Sequence, residues 1–433
     1  MTSGPSPRIS TFHLDNGLEV VLSPESTSPT VGVGVFYRVG FRLEPEGRTG
    51  FAHLFEHLMF QGTTKVPKPQ FGNLINSAGG LLNGFTRHDY TAYFEILPAS
   101  ALEMACFLEA DRMRELDLNQ ETLQNQLSVV EEEVRVNVLN QPYGGFSWLW
   151  LPQYAFSRFP NAHNYYGEFR DLEAATVQDA ADFYRTWYGP GNATLVLVGA
   201  FDEKEARRVV QRHFASVPPR PAPPDPDLEE ALPSTRREHE HRDPLAPTPQ
   251  VAVGYPTAPF GTKDHLPLAL AARILTDGRA SRLQRTLVRE RALLLHIAGG
   301  PMYPIGDSFE FRGPALFTLE ATPRDGVPTG EAVAAIDQEM ARLAAEGPTE
   351  DELRRSRRRE LAAYHSNTDS RLGRLTALGV MAAVHRSPEM VDQVAERFSQ
   401  VTPEQVAGAV ARWLRPERST VLHWRPQAKG GRG

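Results

Sequence analysis

The pattern of hydrophobic and polar positions divides the first half of the chain into short strands and longer helices. Runs that are rich in β-branched residues and bounded by turn residues predict strands at residues 9–14, 17–22, 31–37, 91–97 and 193–198. Apolar residues at helical spacing predict helices that start near Thr49 and that cover residues 100–116, 121–140 and 176–188. Strands and helices segregate without a regular βαβ alternation, so the pattern favours α+β domains over a doubly wound sheet.

The second half of the chain repeats this order of elements. It offers a strand at residues 250–255, an apolar helix at residues 266–275 and a closing strand at residues 419–424, which echoes the strand at residues 193–198. We therefore predict an α+β fold of two structurally similar domains, each an antiparallel-rich sheet covered by helices.

A proline-rich segment marks the predicted boundary between the two domains. Residues 218–226 contain six prolines and lead into a charged stretch that ends near Pro249. Clustered prolines have a fixed φ and lack N–H donors, so they form a stiff, extended spacer and not a helix or a central strand. The predicted division is a first domain at residues 1–217, a linker at residues 218–249 and a second domain at residues 250–433.

The composition excludes some classes of partner. The formal net charge is −7 and the sequence pI is about 6.0, whereas proteins that bind nucleic acid or anionic membranes need concentrated positive charge. No apolar run approaches the length of a bilayer span, and residues 1–8 carry no secretion signal, which makes the cytoplasm the expected location. The single cysteine, Cys106, lies in an apolar helical stretch and is expected to be a small buried hydrophobic residue.

The segment TGFAHLFEHLMF at residues 49–60 carries the most specific chemical signal. Residues four apart on a helix lie on the same face, so His53 and His57 can direct two imidazoles at one ion. Glu56 lies close by and can reach a water on that ion. Zinc suits these ligands and lowers the pKa of a bound water towards about 7, and Glu56 can then accept the proton as a general base.

Two helical histidines could instead be core residues that ordinary hydrogen bonds satisfy. The helix is apolar nearly all round, so we expect it to be buried; its apolar residues are Phe51, Leu54, Phe55, Leu58 and Met59. Burial of two imidazoles and a carboxylate is costly unless each has a partner, and a metal ion supplies one. The metal site is therefore the preferred interpretation.

A third protein ligand must come from elsewhere in the chain. The segment at residues 121–141, which contains the predicted helix 121–140, has a buried stripe formed by Leu123, Leu127, Val130, Val134 and Val138. At about 100° per residue, Glu132 lies opposite this stripe in solvent, whereas Glu131 and Glu133 flank it. Periodicity alone does not choose between Glu131 and Glu133.

With these residues in place, the chain resembles the inverzincin peptidases, which include pitrilysin, insulin-degrading enzyme and mitochondrial processing peptidase. The resemblance covers almost the whole chain and is closest to a short-chain bacterial subunit of the processing-peptidase type. Beyond the H-x-x-E-H helix it rests on LDNGL at residues 14–18, GRTG at 47–50, FQGT at 60–63, NGFT at 83–86, TAY at 91–93 and YGPGN at 188–192.

The resemblance implies the third ligand and the cofactor. Short-chain members place a glutamate at the position of Glu133, which stands 76 residues after His57. One zinc ion per chain is implied, with the first domain as the catalytic one and the second domain facing substrate or partner. Some members carry an orienting carboxylate seven positions before the ligand; this chain has Gln126 there, so an amide is expected to take that role.

The resemblance also implies how substrate is held. Asn83, Gly84, Phe85 and Thr86 resemble the edge strand that pairs with an extended peptide across the zinc. The residues alone favour an ordinary glycine-containing turn followed by a strand.

A partner chain is implied as well, because family members form a clamshell of four similar domains and this chain supplies half. The facing half normally contributes an arginine and, seven residues later, a tyrosine that contact the substrate carbonyl region. This chain has Arg289 and then His296. The missing tyrosine slightly favours a heterodimer with a zinc-less homologous subunit over a homodimer, although a neutral imidazole can donate the same hydrogen bond.

The predicted function is a zinc-dependent endopeptidase that hydrolyses peptide bonds in extended or leader-like peptides. The alternatives are a catalytically silent scaffold or assembly subunit of the same fold, and a maturation protease that works only with a partner chain. Silent members usually lose the residues that are intact here, which are His53, Glu56, His57 and Glu133.

A second pair of histidines is a weaker candidate. His239 and His241 stand two residues apart in a charged segment, and an edge strand or a solvated linker is preferred over a metal site there.

Overall fold

The computed structural model describes residues 8–427 of the chain. Its strands are β1 (Ser10–His13), β2 (Glu19–Pro24), β3 (Thr30–Tyr37), β4 (Leu81–Thr86), β5 (Thr91–Pro98), β6 (Ala193–Gly199), β7 (Arg237–Asp243), β8 (Gln250–Pro256), β9 (Leu294–Pro301), β10 (Leu316–Pro323) and β11 (Thr420–Pro426). Its α-helices are α1 (Phe51–Leu58), α2 (Gln70–Ser77), α3 (Leu102–Arg114), α4 (Gln120–Val134), α5 (Leu151–Ala155), α6 (Phe159–Ala162), α7 (Phe169–Glu173), α8 (Val177–Trp187), α9 (Glu203–Phe214), α10 (His265–Thr276), α11 (Thr329–Glu346), α12 (Glu350–Thr368), α13 (Arg371–Ala383), α14 (Met390–Ser399) and α15 (Pro403–Trp413).

The strands form two sheets with the same internal order. The first sheet runs β1-β2-β6-β3-β5-β4 and the second runs β7-β11-β8-β10-β9. Each contains one parallel pair, β2 with β6 and β7 with β11, and its other neighbours are antiparallel. From the parallel pair onward the two orders correspond strand for strand. The prediction of an α+β chain with two similar, antiparallel-rich sheets is confirmed.

The residues form two compact units that do not follow a single cut at the proline-rich segment. The first unit contains the described residues up to Glu131, together with Tyr165–Pro226 and Tyr364–Val394. The second contains Glu132–Asn164, Asp227–Ala363 and the described residues from Ala395 onward. Each unit therefore includes a helical segment from the other half of the chain.

Glycines let these exchanged segments pack closely on the sheets. In the first unit, a Cβ at Gly34 of β3 would lie 3.2 Å from the side chain of Leu375 on α13, and one at Gly379 of α13 would lie 2.2 Å from the ring of Phe36. In the second unit, a Cβ at Gly254 of β8 would lie 2.9 Å from the side chain of Leu151. Since β3 and β8 hold equivalent places in the two sheets, both units use the same kind of contact.

The proline-rich segment is irregular at first and then joins the second sheet. No helix or strand covers residues 218–236, whereas β7 occupies part of the predicted linker. His239 and His241 lie on β7, which is the edge strand of that sheet, as preferred from the sequence. Their rings stack on Tyr154 and Trp424, with centroids 4.2 and 3.9 Å apart.

Within residues 8–427, no helix is both long enough and apolar enough to cross a membrane.

A buried charge network lies beneath the first sheet. Arg112 of α3 donates from Nε to Glu109 over 2.9 Å and lies 3.6 Å from Glu95 of β5, and all three side chains are at most 1% exposed. Its guanidinium also lies over the ring of Tyr93, 4.6 Å from the centroid. Burial raises the pKa of Glu95 well above its ordinary value, and Glu109 raises it further, whereas the charge of Arg112 lowers it. The raised pKa favours the protonated form of Glu95, so that the single charge of Arg112 is balanced by the carboxylate of Glu109.

Arg112→Leu is expected to lower the free energy of unfolding by about 3–5 kcal/mol, because the carboxylate of Glu109 would stay buried without a counter-charge. Urea denaturation measures the change, and the loss should be larger at pH 8 than at pH 5, where protonation can neutralise a buried carboxylate. The matched control is Arg208→Leu, since Arg208 pairs with Glu205 at the same i, i+3 spacing but with both side chains about half exposed. Exposed pairs contribute little, so similar losses in the two variants would contradict the assignment.

Candidate metal centre

Helix α1 carries its polar residues inside an apolar environment. Its hydrophobic side chains are at most 1% exposed: Phe51, Ala52, Leu54, Phe55 and Leu58. His53 is 6% exposed, and Glu56 and His57 are half-buried. The predicted burial of this helix is confirmed.

The imidazoles of His53 and His57 converge at one point. Their Nε2 atoms lie 3.3 Å apart, and the two rings are nearly perpendicular with centroids 5.0 Å apart. This distance permits a hydrogen bond if one nitrogen carries a proton and the other does not. It also equals the separation of roughly 3.3–3.4 Å between two nitrogens that bind one tetrahedral zinc at about 2.0–2.1 Å.

A carboxylate completes this pair of imidazoles. One ligand atom from each of His53, His57 and Glu133 lies within 4.8 Å of the other two. Glu133 stands in the last turn of α4, an unbroken helix from Gln120 to Val134. Of the two glutamates that periodicity left open, Glu133 is the one whose carboxylate lies beside the imidazoles. Glu132 points to solvent, as predicted, and pairs with Arg135 at 3.6 Å.

The chemistry of this donor set fits zinc. Two imidazole nitrogens and one carboxylate oxygen are a ligand combination that catalytic zinc sites use, and three protein ligands leave a fourth position open. Calcium and magnesium prefer oxygen ligands, and thiolate cages are excluded because Cys106 is buried and is the only cysteine in the chain. The residues therefore suit a zinc ion.

Glu56 lies on the same helix beside buried phenols. Burial raises the pKa values of Tyr93 and Tyr188, and the negative charge of Glu56 raises them further. The carboxylate of Glu56 is therefore near enough to both rings to act on them electrostatically.

The N-terminus of α1 is held by Glu44. This side chain is 3% exposed, and its two carboxylate oxygens accept hydrogen bonds from the backbone N–H groups of Gly50 and Ala52, each over 2.8 Å. These N–H groups have no partner within the helix, and the positive end of the helix dipole attracts a carboxylate. Glu44 thus fixes the start of the helix that carries both histidines.

The far end of α1 is held from the first sheet. Tyr93 of β5 donates from its hydroxyl to the carbonyl of Phe55 over 3.0 Å, and the Gln61 amide donates to the carbonyl of His57 over 3.1 Å. Through its ring, Tyr93 also contacts the guanidinium of Arg112. The buried charge network therefore supports the helix that carries the candidate ligands.

A loop after α6 contacts His53 directly. The ring of Tyr166 meets the imidazole of His53 edge to face, with centroids 5.0 Å apart and an angle of 89° between the planes. The His163–Tyr166 stretch belongs to the part of the chain that resembles the family, but the sequence gives Tyr166 no role.

Strand β4 lies at the edge of the first sheet, next to α1. Asn83 is exposed, Phe85 is half-buried, and Gly84 and Thr86 are buried. A Cβ at Gly84 would lie 2.9 Å from the ring of Tyr93 and 3.2 Å from that of Phe60, so glycine lets the strand approach the residues around α1. Among residues 8–427, no strand pairs with the outer side of β4. The edge strand implied by the resemblance is present, and substrate pairing with it stays a prediction.

The remaining predicted residues lie outside this cluster. Gln126 is 4% exposed and stands two turns before Glu133 on α4. Arg289 and His296 belong to the second unit, and both are exposed. Arg289 lies in a π-helical segment, Gln284–Glu290, and His296 lies on the edge strand β9.

Three supporting residues were missed by the sequence reasoning, namely Glu44, Tyr93 and Tyr166. Glu44 stands in a loop before the helix, and a carboxylate at that distance is not part of a local capping pattern. The glycine directly before the H-x-x-E-H helix, Gly50, is a partial sequence signal that the chain is constrained at this point. In the structure it adopts φ = +86°, a conformation that favours glycine.

Comparison with known proteins places these features in a family. The family model described as "Insulinase (Peptidase family M16)" matches residues 19–143, and the one described as "Peptidase M16 inactive domain" matches residues 174–360. The zinc protease PqqE of Helicobacter pylori is 30% identical over 291 residues, which are 66% of this chain and 65% of that protein. Subunit 1 of the mitochondrial cytochrome b-c1 complex of Homo sapiens is 27% identical over 60% of this chain and 54% of that protein.

The chain therefore spans less than two thirds of the length of these two relatives. A crystal structure of a protease from Helicobacter pylori superposes with a TM-score of 0.90 at 24% identity, and the match covers 97% of this chain and 100% of that one. At this identity the likeness shows the fold.

Proposed function

The chain belongs to peptidase family M16, and on that premise we propose that it is a zinc-dependent endopeptidase acting on extended or leader-like peptides. His53, His57 and Glu133 would hold one zinc ion per chain, and Glu56 would act as the general base. The observation that carries this proposal is the convergence of three ligand atoms within 4.8 Å, two of them on a helix that contacts the edge strand β4.

The residues around the metal centre have different proposed roles in hydrolysis. A bound zinc ion supplies Lewis acidity, which polarises a peptide carbonyl and makes water more acidic at neutral pH. The carboxylate of Glu56 accepts a proton from the attacking water and returns it to the leaving amine. Glu44 and Tyr93 keep α1 in place, so that Glu56 does not have to be repositioned during the reaction.

Strand β4 is proposed to hold the substrate. An extended peptide can add to an edge strand through backbone hydrogen bonds, and Asn83, Gly84, Phe85 and Thr86 form the section of β4 that the family resemblance assigns to this role. Gly84 keeps this section close to the rings of Phe60 and Tyr93. Backbone pairing requires a segment without secondary structure of its own, which is why flexible or leader-like peptides are the proposed substrates.

A partner chain is proposed to complete the enzyme. Members of the family often work as paired subunits, and this chain carries His296 where the resemblance calls for a tyrosine. We favour a zinc-less homologous subunit as the partner over a second copy of this chain.

The second candidate function is a catalytically silent assembly subunit. The similarity to a subunit of the human cytochrome b-c1 complex and the match to an inactive-domain model favour it. The inactive-domain match starts at residue 174, so it lies outside the residues that converge on the metal centre.

The first expected result is that the purified chain binds about one zinc ion and that Glu133→Gln weakens binding by at least roughly 10-fold, because a charged ligand is lost. Chelator competition measures the affinity. Glu131→Gln is the matched control, since it removes a carboxylate two residues away on the same helix and should leave the affinity unchanged. A folded wild-type chain that binds no zinc would favour the silent subunit.

The second expected result is that Glu56→Gln keeps zinc and loses turnover by about 10²–10⁴-fold, because the amide cannot accept the proton. Cleavage of an unstructured peptide, followed by mass spectrometry, measures it, and Glu46→Gln controls for removal of an exposed acid near α1. Turnover that survives in Glu56→Gln would remove Glu56 from this role.

The third expected result concerns the partner. The chain alone should turn over slowly, and His296→Tyr should raise its turnover by roughly 10-fold or more by restoring a donor to the substrate carbonyl. Leu295→Tyr is the control, because Leu295 is the exposed neighbour of His296 on β9 and the resemblance assigns no role to it. Full activity of the wild-type chain as a homodimer would contradict the proposed heterodimer.

A further inference from the structure

We propose that Tyr166 is a positioning residue for His53, and that the segment around it clamps the start of α1 so that this imidazole is aimed before a metal ion binds. The inference rests on the proposed zinc site and adds a residue to it that lies outside the H-x-x-E-H helix and outside the ligand set.

The imidazole of His53 lies between two rings. Tyr166 meets it at 89° and His57 meets it at 82°, each with centroids 5.0 Å apart. The His53 side chain is 6% exposed, so it has little open space into which it could rotate. The edge of one aromatic ring against the face of another is a favourable arrangement, and here it fixes the plane of the imidazole.

Tyr166 is itself held by a close backbone contact. A Cβ at Gly50 would lie 2.8 Å from the carbonyl oxygen of Tyr166, and a Cβ at Gly167 would lie 2.6 Å from the Cα of Gly50. Both glycines adopt positive φ, +86° and +88°. The loop therefore touches the first residues of α1 with no side chain between them, a contact that only glycine permits at both positions.

Hydrogen bonds anchor the loop after Tyr166. The hydroxyl of Thr49 donates to the carboxylate of Asp171 over 2.6 Å and accepts from the backbone N–H of Glu168 over 2.8 Å. Thr49 lies two residues before the first residue of α1. The chain after Tyr166 is thus bonded to the same short stretch that Glu44 caps.

Ring contacts anchor the loop before Tyr166. Tyr165 is 2% exposed, stacks on Phe41 with centroids 5.5 Å apart, and meets His88 edge-on at 4.7 Å. Since the chain is held on both sides of Tyr166, its backbone keeps a fixed position relative to the start of α1. The ring of Tyr166 therefore meets the imidazole of His53 from a fixed point of attachment.

A ligand that already points in the binding direction loses less side-chain freedom when the metal binds, which raises affinity. Residues that orient metal-binding histidines are worth roughly 10–100-fold in metal affinity. Tyr166→Leu should therefore weaken zinc binding by roughly 10-fold, whereas Tyr166→Phe, which keeps the aromatic ring, should stay within about 3-fold of the wild type.

The experiment is chelator competition for zinc with the wild-type chain, Tyr166→Phe and Tyr166→Leu, with urea denaturation of each metal-free protein. Tyr154→Leu is the matched control, because Tyr154 makes a tyrosine–histidine contact with His239 in the second unit, with centroids 4.2 Å apart. This control should lose stability and keep its zinc affinity. Tyr166→Met, which preserves much of the side-chain volume, replaces Tyr166→Leu if the latter does not fold.

Each outcome decides between the proposals. Weaker zinc binding in Tyr166→Leu, with Tyr166→Phe near the wild type, supports the positioning role. Equal affinities of Tyr166→Leu and the wild type overturn it while the zinc site stands, and an equal loss in Tyr166→Phe also overturns it by pointing to the hydroxyl. If the wild-type chain binds no zinc, the result contradicts the proposed function and, with it, the role of Tyr166.

Discussion

The first unit is organised around two imidazole nitrogens that lie 3.3 Å apart on a helix with a buried apolar surface. Polar groups in such surroundings must have partners that are fixed in direction, because a small rotation leaves them unsatisfied. The carboxylate of Glu44 holds one end of this helix, and the hydroxyl of Tyr93 donates to the carbonyl of Phe55 from the sheet. Glu44 and Tyr93 thus keep α1 in one position, so that its two imidazoles keep a constant direction.

The two sheets share their strand order, but the candidate metal ligands are not repeated with it. Each sheet is covered by a helical segment from the other half of the chain, packed against a glycine. The H-x-x-E-H motif occurs once in this sequence, on helix α1 between β3 and β4 of the first sheet. The two candidate histidine ligands and Glu56 thus stand in one half of the repeated strand order and have no counterpart motif in the other.

The sequence predicts most of the fold because strand and helix periodicities are local. It identifies His53, Glu56 and His57 for the same reason, since their spacing lies within one helix. Periodicity alone does not distinguish Glu131 from Glu133, because both flank the buried stripe at similar angles. The family resemblance is what points to Glu133. The exchanged segments are not predictable from local patterns, because an apolar helix face does not specify which sheet it covers. Buried Arg112 is missed because an isolated arginine normally indicates a surface.

The exposed side of β4 carries a consequence for selectivity. A strand edge offers only N–H and C=O groups, which every peptide can match, so it cannot by itself distinguish one sequence from another. A strand edge can, however, distinguish a segment whose backbone N–H and C=O groups are free to form hydrogen bonds from one whose groups are already bonded. A folded protein keeps these groups occupied in its helices and sheets and is thereby protected, whereas a nascent tail or a damaged chain is not. Under the proposed function, conformational state, more than amino-acid identity, decides which chains are cleaved.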